Sequence, residues 1–176
     1  MQEGAFALID CLGFKGIWRT TKPEIVVSKL KKIDETVRSQ LESADYGPFR
    51  FQDTSEVKPS LKWFSDRIDP KNVKPDIRLL SDTVAISLQY TGDKKGTDKN
   101  LVSVMLVKAM CGVVPRLLDL FLEDEPPLIL RGRITYGEHI CDRNFIIGPA
   151  VDQAAEYMNI PEGGFCLASS NRRSSI

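Results

Sequence analysis

Two aspartates that interrupt strongly apolar sequence are the residues best placed to do chemistry. Asp10 ends the run Ala5-Phe6-Ala7-Leu8-Ile9, and Asp82 stands in the polar break Ser81-Asp82-Thr83 between Ile77-Arg78-Leu79-Leu80 and Val84-Ala85-Ile86-Ser87-Leu88. Carboxylates are hard oxygen donors, so two of them on one sheet edge would suit Mg2+ or Mn2+. Gly13, just beyond Asp10, would let the main chain come close to a ligand. Ions held in this way can acidify an attacking hydroxyl and neutralise a triphosphate during in-line displacement. Residue type alone favours a plainer account, with Asp10 as a strand-end cap and Asp82 as an ordinary turn residue. The fold has to decide between them.

The elements that must position these residues follow from the hydrophobic pattern. Residues 5–9 suit a buried strand. Val26, Leu30, Ile33, Val37 and Leu41 recur every three or four residues and predict an amphipathic helix from residue 23 to about 43, with Thr21 as N-cap and Pro23 in the first turn. Residues 46–74 contain Pro48, Pro59 and Pro70 and read as loops with short elements. Residues 76–90 predict a tight β-hairpin with Asp82 near its tip. Val102, Met105, Leu106, Ala109 and Val113 mark a second helix, which Pro115 should kink or interrupt. A strand over 128–136, a turn at 137–141 into its partner, a helix over 149–158 and a short strand at 165–168 complete the order. The reading is one α+β domain over residues 1–176, a mostly antiparallel sheet with helices on one face.

Composition bounds the function classes. The chain has 176 residues, and 24 Lys plus Arg balance 24 Asp plus Glu. No global field draws it to nucleic acid or anionic lipid. No apolar run approaches the roughly 20 residues that span a bilayer, and Met1-Gln2-Glu3-Gly4 has no basic n-region, so a cytoplasmic protein without membrane insertion is expected. The four cysteines, Cys11, Cys111, Cys141 and Cys166, lack CxxC spacing and read as buried thiols of a reducing compartment. A single histidine, His139, argues against a His/Cys zinc site.

Four segments together resemble a known family. Leu8-Ile9-Asp10-Cys11-Leu12-Gly13-Phe14 is similar to the strand-to-helix metal motif of class III nucleotidyl (adenylate/guanylate) cyclases, and Leu79-Leu80-Ser81-Asp82-Thr83 to their metal-binding hairpin. Arg131-Gly132-Arg133-Ile134-Thr135-Tyr136-Gly137 matches their Arg-x-Gly-Ile-x-x-Gly strand loosely, and residues 148–156 match the opening of their last conserved helix. The motifs fall in family order across residues 5–158. The resemblance implies a ferredoxin-like palm with its active site at a homodimer interface. Asp10, the backbone carbonyl of Cys11 and Asp82 would bind two Mn2+ or Mg2+ ions. The amides of Leu12, Gly13, Phe14 and Lys15 would face the β- and γ-phosphates, and Lys15 would either add a charge contact or remain solvated. A nucleoside triphosphate would become a 3′,5′-cyclic nucleotide and pyrophosphate.

Departures from the family pattern narrow the reading. The base-selecting Lys falls on Arg78 and its partner Asp on Phe145, so the adenine-reading pair is missing. A guanidinium only donates, which suits carbonyl oxygens such as O2 of uracil or cytosine. Phe145 would stack on the base or close the pocket, although a core role at the start of a helix is the stronger account of its residue type. The family's transition-state Asn and Arg fall on Asp152 and Glu156, carboxylates that would repel an α-phosphate. Arg131 and Arg133 are the nearest basic candidates to do that work. The family's final β-hairpin has no counterpart after residue 168, where a polar tail follows.

The chain most resembles the bacterial pyrimidine (uridylate/cytidylate) cyclases of the Pycsar anti-phage systems. That resemblance implies UTP, or else CTP, as substrate and a separate effector protein activated by the cyclic nucleotide. The competing readings are a catalytically inactive cyclase-like domain that binds nucleotide or dimerises, a polymerase-like palm or diguanylate cyclase, and a plain α+β interaction module.

Overall fold

The strand β1 (Gln2–Leu12) is the element on which the sheet is assembled. It pairs antiparallel with β3 (Thr83–Tyr90) on one side, from Gly4 opposite Gln89 to Asp10 opposite Thr83. On its other side it pairs antiparallel with β4 (Ile129–Cys141), from Gln2 opposite His139 to Leu12 opposite Ile129. The computed structural model describes residues 1–12, 17, 19, 21–42, 72–80, 82–92, 98–123, 129–142, 145–158 and 166–170.

The hairpin partner of β3 is β2 (Val73–Leu80), which forms one edge of the sheet. On β4's far side lie β5 (Ile146–Ile147), antiparallel to residues 140–141, and β6 (Cys166–Ser170), parallel to residues 132–136. The mostly antiparallel sheet expected from the sequence is therefore present, with one parallel pairing at its edge.

Strand alternation separates two faces. Ala5, Ala7, Ile9, Cys11, Val84, Ile86, Leu88, Ile77, Leu130 and Ile134 point to one face and form the main core. The helices α1 (Pro23–Glu42) and α2 (Lys99–Glu123) cover it, the latter through Leu101, Met105, Leu106, Met110, Val113, Val114 and Leu117. The opposite face holds Phe6 and Ala85 against Ala150 and Ala154 of α3 (Pro149–Glu156). The expectation of helices on one face describes the two long helices; the short third one packs on the other.

Several local expectations are revised. Helix α2 runs through Pro115 without interruption. A proline inside a helix costs about 3 kcal/mol, but Leu106, Met110 and Leu117 are wholly buried on this helix and each contributes about 1.5–3 kcal/mol. Packing wins. By length and composition the segment Lys99–Asp119 could also cross a bilayer, contrary to the reading that no run was long enough. Its inner face is spent on the sheet instead. Helix α1 begins at Pro23, so Lys22, whose carbonyl accepts from Ile25 N at 3.0 Å, holds the position expected of Thr21.

Strand β4 is longer than predicted. It continues through 137–141, and the turn into β5 comes only after Cys141, where Asp142 N donates to Phe145 O at 2.9 Å. Its last residues curl over the α3 face, so that His139 meets Ser87 of β3 at 2.7 Å. The arm then enters α3 through Gly148 at φ 140°. A side chain there would meet His139 Cα at 2.6 Å and Glu138 O at 2.7 Å, so only glycine fits. Cys11 is buried and Cys141 half-buried, but Cys111 is exposed on α2, against the expectation of a buried thiol; all three are free.

Candidate functional site

The register puts Leu80, Thr83, Asp10 and Arg131 in one row across the sheet. All four side chains point to the α3 face, at the rim where β1 ends and the β2–β3 hairpin turns. Cys11 N donates to the carbonyl of Asp82 at 2.9 Å, one step beyond the last ladder pair. The two aspartate-bearing segments are thus joined main chain to main chain. Their carboxylates, after burial, push the Cys11 thiol up to about 12. That thiol points into the main core and stays protonated at neutral pH, which leaves the Cys11 backbone as its only donor at the rim.

Asp10 is ion-paired. Arg131, its direct cross-strand neighbour, approaches with Nε at 3.3 Å and Nη2 at 3.2 Å, both to Oδ2. The two side chains are 27% (Arg131) and 21% (Asp10) exposed. A pair this wet is worth about 1 kcal/mol or less, too little to keep a divalent cation from the carboxylate. Gly132 makes the close strand contact possible, since a Cβ at 132 would lie 2.5 Å from Leu8 O.

A divalent cation fits the chemistry of this donor set: two carboxylate segments tied at one rim, a main-chain carbonyl, and a guanidinium whose two contacts both go to the same oxygen of Asp10. Among the described residues no cluster of three or more His, Cys, Asp or Glu side chains could hold a metal by itself. A cation here would need further oxygens, such as those of a phosphate chain.

One row inward lie Arg78, Ala85, Leu8 and Arg133. Three strand spacings of about 4.8 Å separate the two arginines, so they flank the face rather than meet. Arg133 stacks on the Tyr157 ring, 4.6 Å from its centroid. Arg78 is held by Asp76, two residues earlier on the same strand face: Nη1 and Nη2 each take one carboxylate oxygen. Its Nη1 also donates to Ile77 O at 2.9 Å, and Nε and Nη2 both reach the carbonyl of Asp142 at 3.4 Å.

Phe145 is 48% exposed beside that turn, not the core residue at a helix start that its type suggested. Asp152 and Glu156 are exposed on α3, with Asp152 in the first turn, where a carboxylate is favoured by the helix dipole. The structure thus joins Asp10, Cys11, Asp82 and Arg131 at one rim, while Arg78, Arg133, Phe145 and Asp152 are spread over the neighbouring surface. Leu12 pairs with Ile129 at the end of β1. Gly13, Phe14 and Lys15 lie outside the described residues.

Sequence reasoning missed Asp76 and the buried polar group behind it. Two like-faced residues at i and i+2 on a strand, one acidic and one basic, were the available signal for Asp76. His139 is fully buried, and its pKa is lowered by that burial against a smaller opposing effect from Gly137 O. A carbonyl only accepts, so Nδ1 carries the proton toward Gly137 O at 3.1 Å and Nε2 accepts from the Ser87 hydroxyl.

No protein-family model matches the chain, and no curated protein matches it in sequence. Solved structures do. The guanylate cyclase domain of RhGC from Catenaria anguillulae, in complex with GTP, superposes with a TM-score of 0.56 at 10% identity, covering 94% of this chain and 78% of that one. The catalytic core of a rhodopsin-guanylyl cyclase with converted specificity, in complex with ATPalphaS, gives a TM-score of 0.58 at 9% identity, covering 94% and 76%. At such identities the likeness is one of fold.

Proposed function

We propose that this chain, which has the fold of class III cyclase catalytic domains, is a nucleotidyl cyclase that converts UTP, or CTP, to the 3′,5′-cyclic mononucleotide and pyrophosphate. The observation that carries the reading is the main-chain bond from Cys11 N to Asp82 O, which ties the segments bearing Asp10 and Asp82 at one rim. Both solved relatives named above were crystallised with a nucleoside triphosphate or an analogue of one.

In the reaction the ribose 3′-oxygen attacks the α-phosphorus, the bond to the β-phosphate bridging oxygen breaks, and the hydroxyl proton passes to solvent. Asp10, Asp82 and the Cys11 carbonyl would hold two ions, Mg2+ or Mn2+. When bound, these ions supply acidification of the 3′-hydroxyl and neutralisation of the triphosphate. Arg131, released from Asp10 at a cost of about 1 kcal/mol or less, supplies a guanidinium next to the phosphates. Arg133, on the same face two residues on, would be the second cation to serve where the family's Asn and Arg are replaced by Asp152 and Glu156. The amides of residues 12–15 take the β- and γ-phosphates.

Arg78 favours a base with a carbonyl oxygen, and Phe145 offers an aromatic surface beside it. The resemblance to pyrimidine cyclases carries the rest of the proposal: a cytoplasmic homodimer, no nucleic-acid partner, and a second messenger that activates a separate effector in anti-phage defence. Incubation with each of the four nucleoside triphosphates and Mn2+, read by pyrophosphate release and product mass, tests it. A cyclic pyrimidine mononucleotide supports the proposal. Exposed Asp152 and Glu156 favour one alternative, an inactive nucleotide-binding or dimerising domain, and binding without turnover of any triphosphate is the result that selects it.

A further inference from the structure

The contacts of Arg78 are divided between two edges of its guanidinium. The terminal edge, Nη1 and Nη2, is gripped by both oxygens of Asp76. The lateral edge, Nε and Nη2, converges on a single oxygen, the main-chain carbonyl of Asp142, at 3.4 Å from each nitrogen. Hydrogen bonds from N–H to O cluster near 2.9–3.0 Å, so both lateral contacts are long. A guanidinium held at one edge by a carboxylate, with its other edge loosely aimed at a carbonyl oxygen, is shaped to take a better-placed carbonyl.

From this geometry, and resting on the nucleotide-binding reading above, we infer that Asp76 is a positioning residue for base selection. It locks Arg78 so that the Nε/Nη2 fork receives a carbonyl oxygen of the nucleobase in place of the Asp142 carbonyl. Uracil, cytosine and guanine each present such an oxygen. Adenine presents ring nitrogens beside an amine donor and no carbonyl.

Three neighbours support the arrangement. The half-buried Cys141 thiol donates to Asp76, and burial together with Asp76 raises it to about 11, so it remains a donor at neutral pH. The Asp142 carbonyl sits in a turn closed by Asp142 N to Phe145 O at 2.9 Å, which fixes where the displaced oxygen stands. Phe145 exposes its ring at the same turn, where a base could lie against it. Asp76 acts only through Arg78; it touches no base.

The test is equilibrium binding of non-hydrolysable UTP, CTP, GTP and ATP analogues, with Mn2+, to the full chain and to Asp76→Asn and Arg78→Lys. The parent should bind the best carbonyl-bearing analogue at least about 10-fold more tightly than the ATP analogue, the size of one better-placed hydrogen bond to a charged donor. Asp76→Asn should shrink that ratio to about 2-fold or less by weakening the carbonyl-bearing analogues, with ATP-analogue affinity unchanged. A purely structural Asp76 would weaken all four alike, and that result overturns the inference, as does an unchanged ratio. Should Asp76→Asn not fold, Arg78→Lys keeps the charge, loses the fork and is read by the same criterion. Binding with the expected ratios but without cyclisation defeats the cyclase reading and leaves this inference standing. No binding of any analogue by the parent defeats both.

Discussion

Two aspartate–arginine pairs lie on the same face of the sheet, and they are built differently. Asp10 and Arg131 are 121 residues apart and meet because β1 and β4 are paired in register. Arg131 spends two nitrogens on one oxygen, and among the described residues no side chain is bonded to the other. Asp76 and Arg78 are two residues apart on one edge strand, and each carboxylate oxygen has its own nitrogen. The long-range pair keeps a ligand oxygen and sits at the open rim; the local pair is satisfied within itself and can only orient its arginine. Residue types are the same in both. Geometry separates a ligand from a brace.

The sharpest way to break this contrast is to neutralise the carboxylates one at a time. Asp82→Ala and Asp10→Asn should each lower turnover about 1,000-fold, a loss of about 4 kcal/mol in transition-state stabilisation, while the thermal midpoint moves by only about 3 °C. Asp76→Asn should keep most of its turnover on the preferred triphosphate. Equal losses at positions 10 and 76 would erase the distinction.

A second substitution acts on the arm whose Asp142 carbonyl meets Arg78 and leaves the Asp10 rim untouched. Gly148→Ala forces a side chain into φ 140° and against His139, and should destabilise the fold by about 2–3 kcal/mol in urea titration. Turnover of the folded fraction should fall less than stability does.

Arg131→Gln comes next, with turnover down about 10-fold, or about 1.4 kcal/mol. Its metal-binding midpoint, measured without nucleotide, should shift to lower Mn2+ because Asp10 loses its resident cation. An unshifted midpoint would mean that Arg131 does not compete at that oxygen.

The smallest effect is a pH dependence confined to the arm. His139 is held neutral when folded, its pKa lowered by burial, so the unfolded chain binds the extra proton first. Stability is intact above the unfolded value of about 6.5 and declines as pH falls below it, by at most about 1.4 kcal/mol per pH unit for one proton. Urea midpoints at pH 7.5 and 5.5, compared with those of His139→Gln, read this directly.

What the sequence disclosed follows the same division. The strands β1 to β3 and the position of Asp82 at a hairpin tip were legible, because local apolar runs and the polar break between them set both. The core face of α2 was legible too, but the persistence of that helix past Pro115 was not, since it depends on burial against the sheet. The length of β4 was misread because Gly137 looks like a turn residue, and only its place opposite Gly4 keeps it in the strand. Arg131, with Arg133, stood out as the nearest basic candidate to replace the family's transition-state Asn and Arg. Its bond to Asp10 depends on register between remote strands, which no window of sequence contains. Asp76 lay in plain view and was passed over, because its partner is identified by strand parity rather than by motif.

The stitch between Cys11 and Asp82 has a consequence for how this rim can be watched. One amide, that of residue 11, is sealed by the turn that carries the second carboxylate. It can trade its hydrogen for deuterium only when the hairpin tip lifts from the end of the central strand. Its exchange rate is therefore a gauge of how often the two acidic segments part company. Slower exchange on adding Mn2+ would register the closing of that seam without any chemistry having to occur.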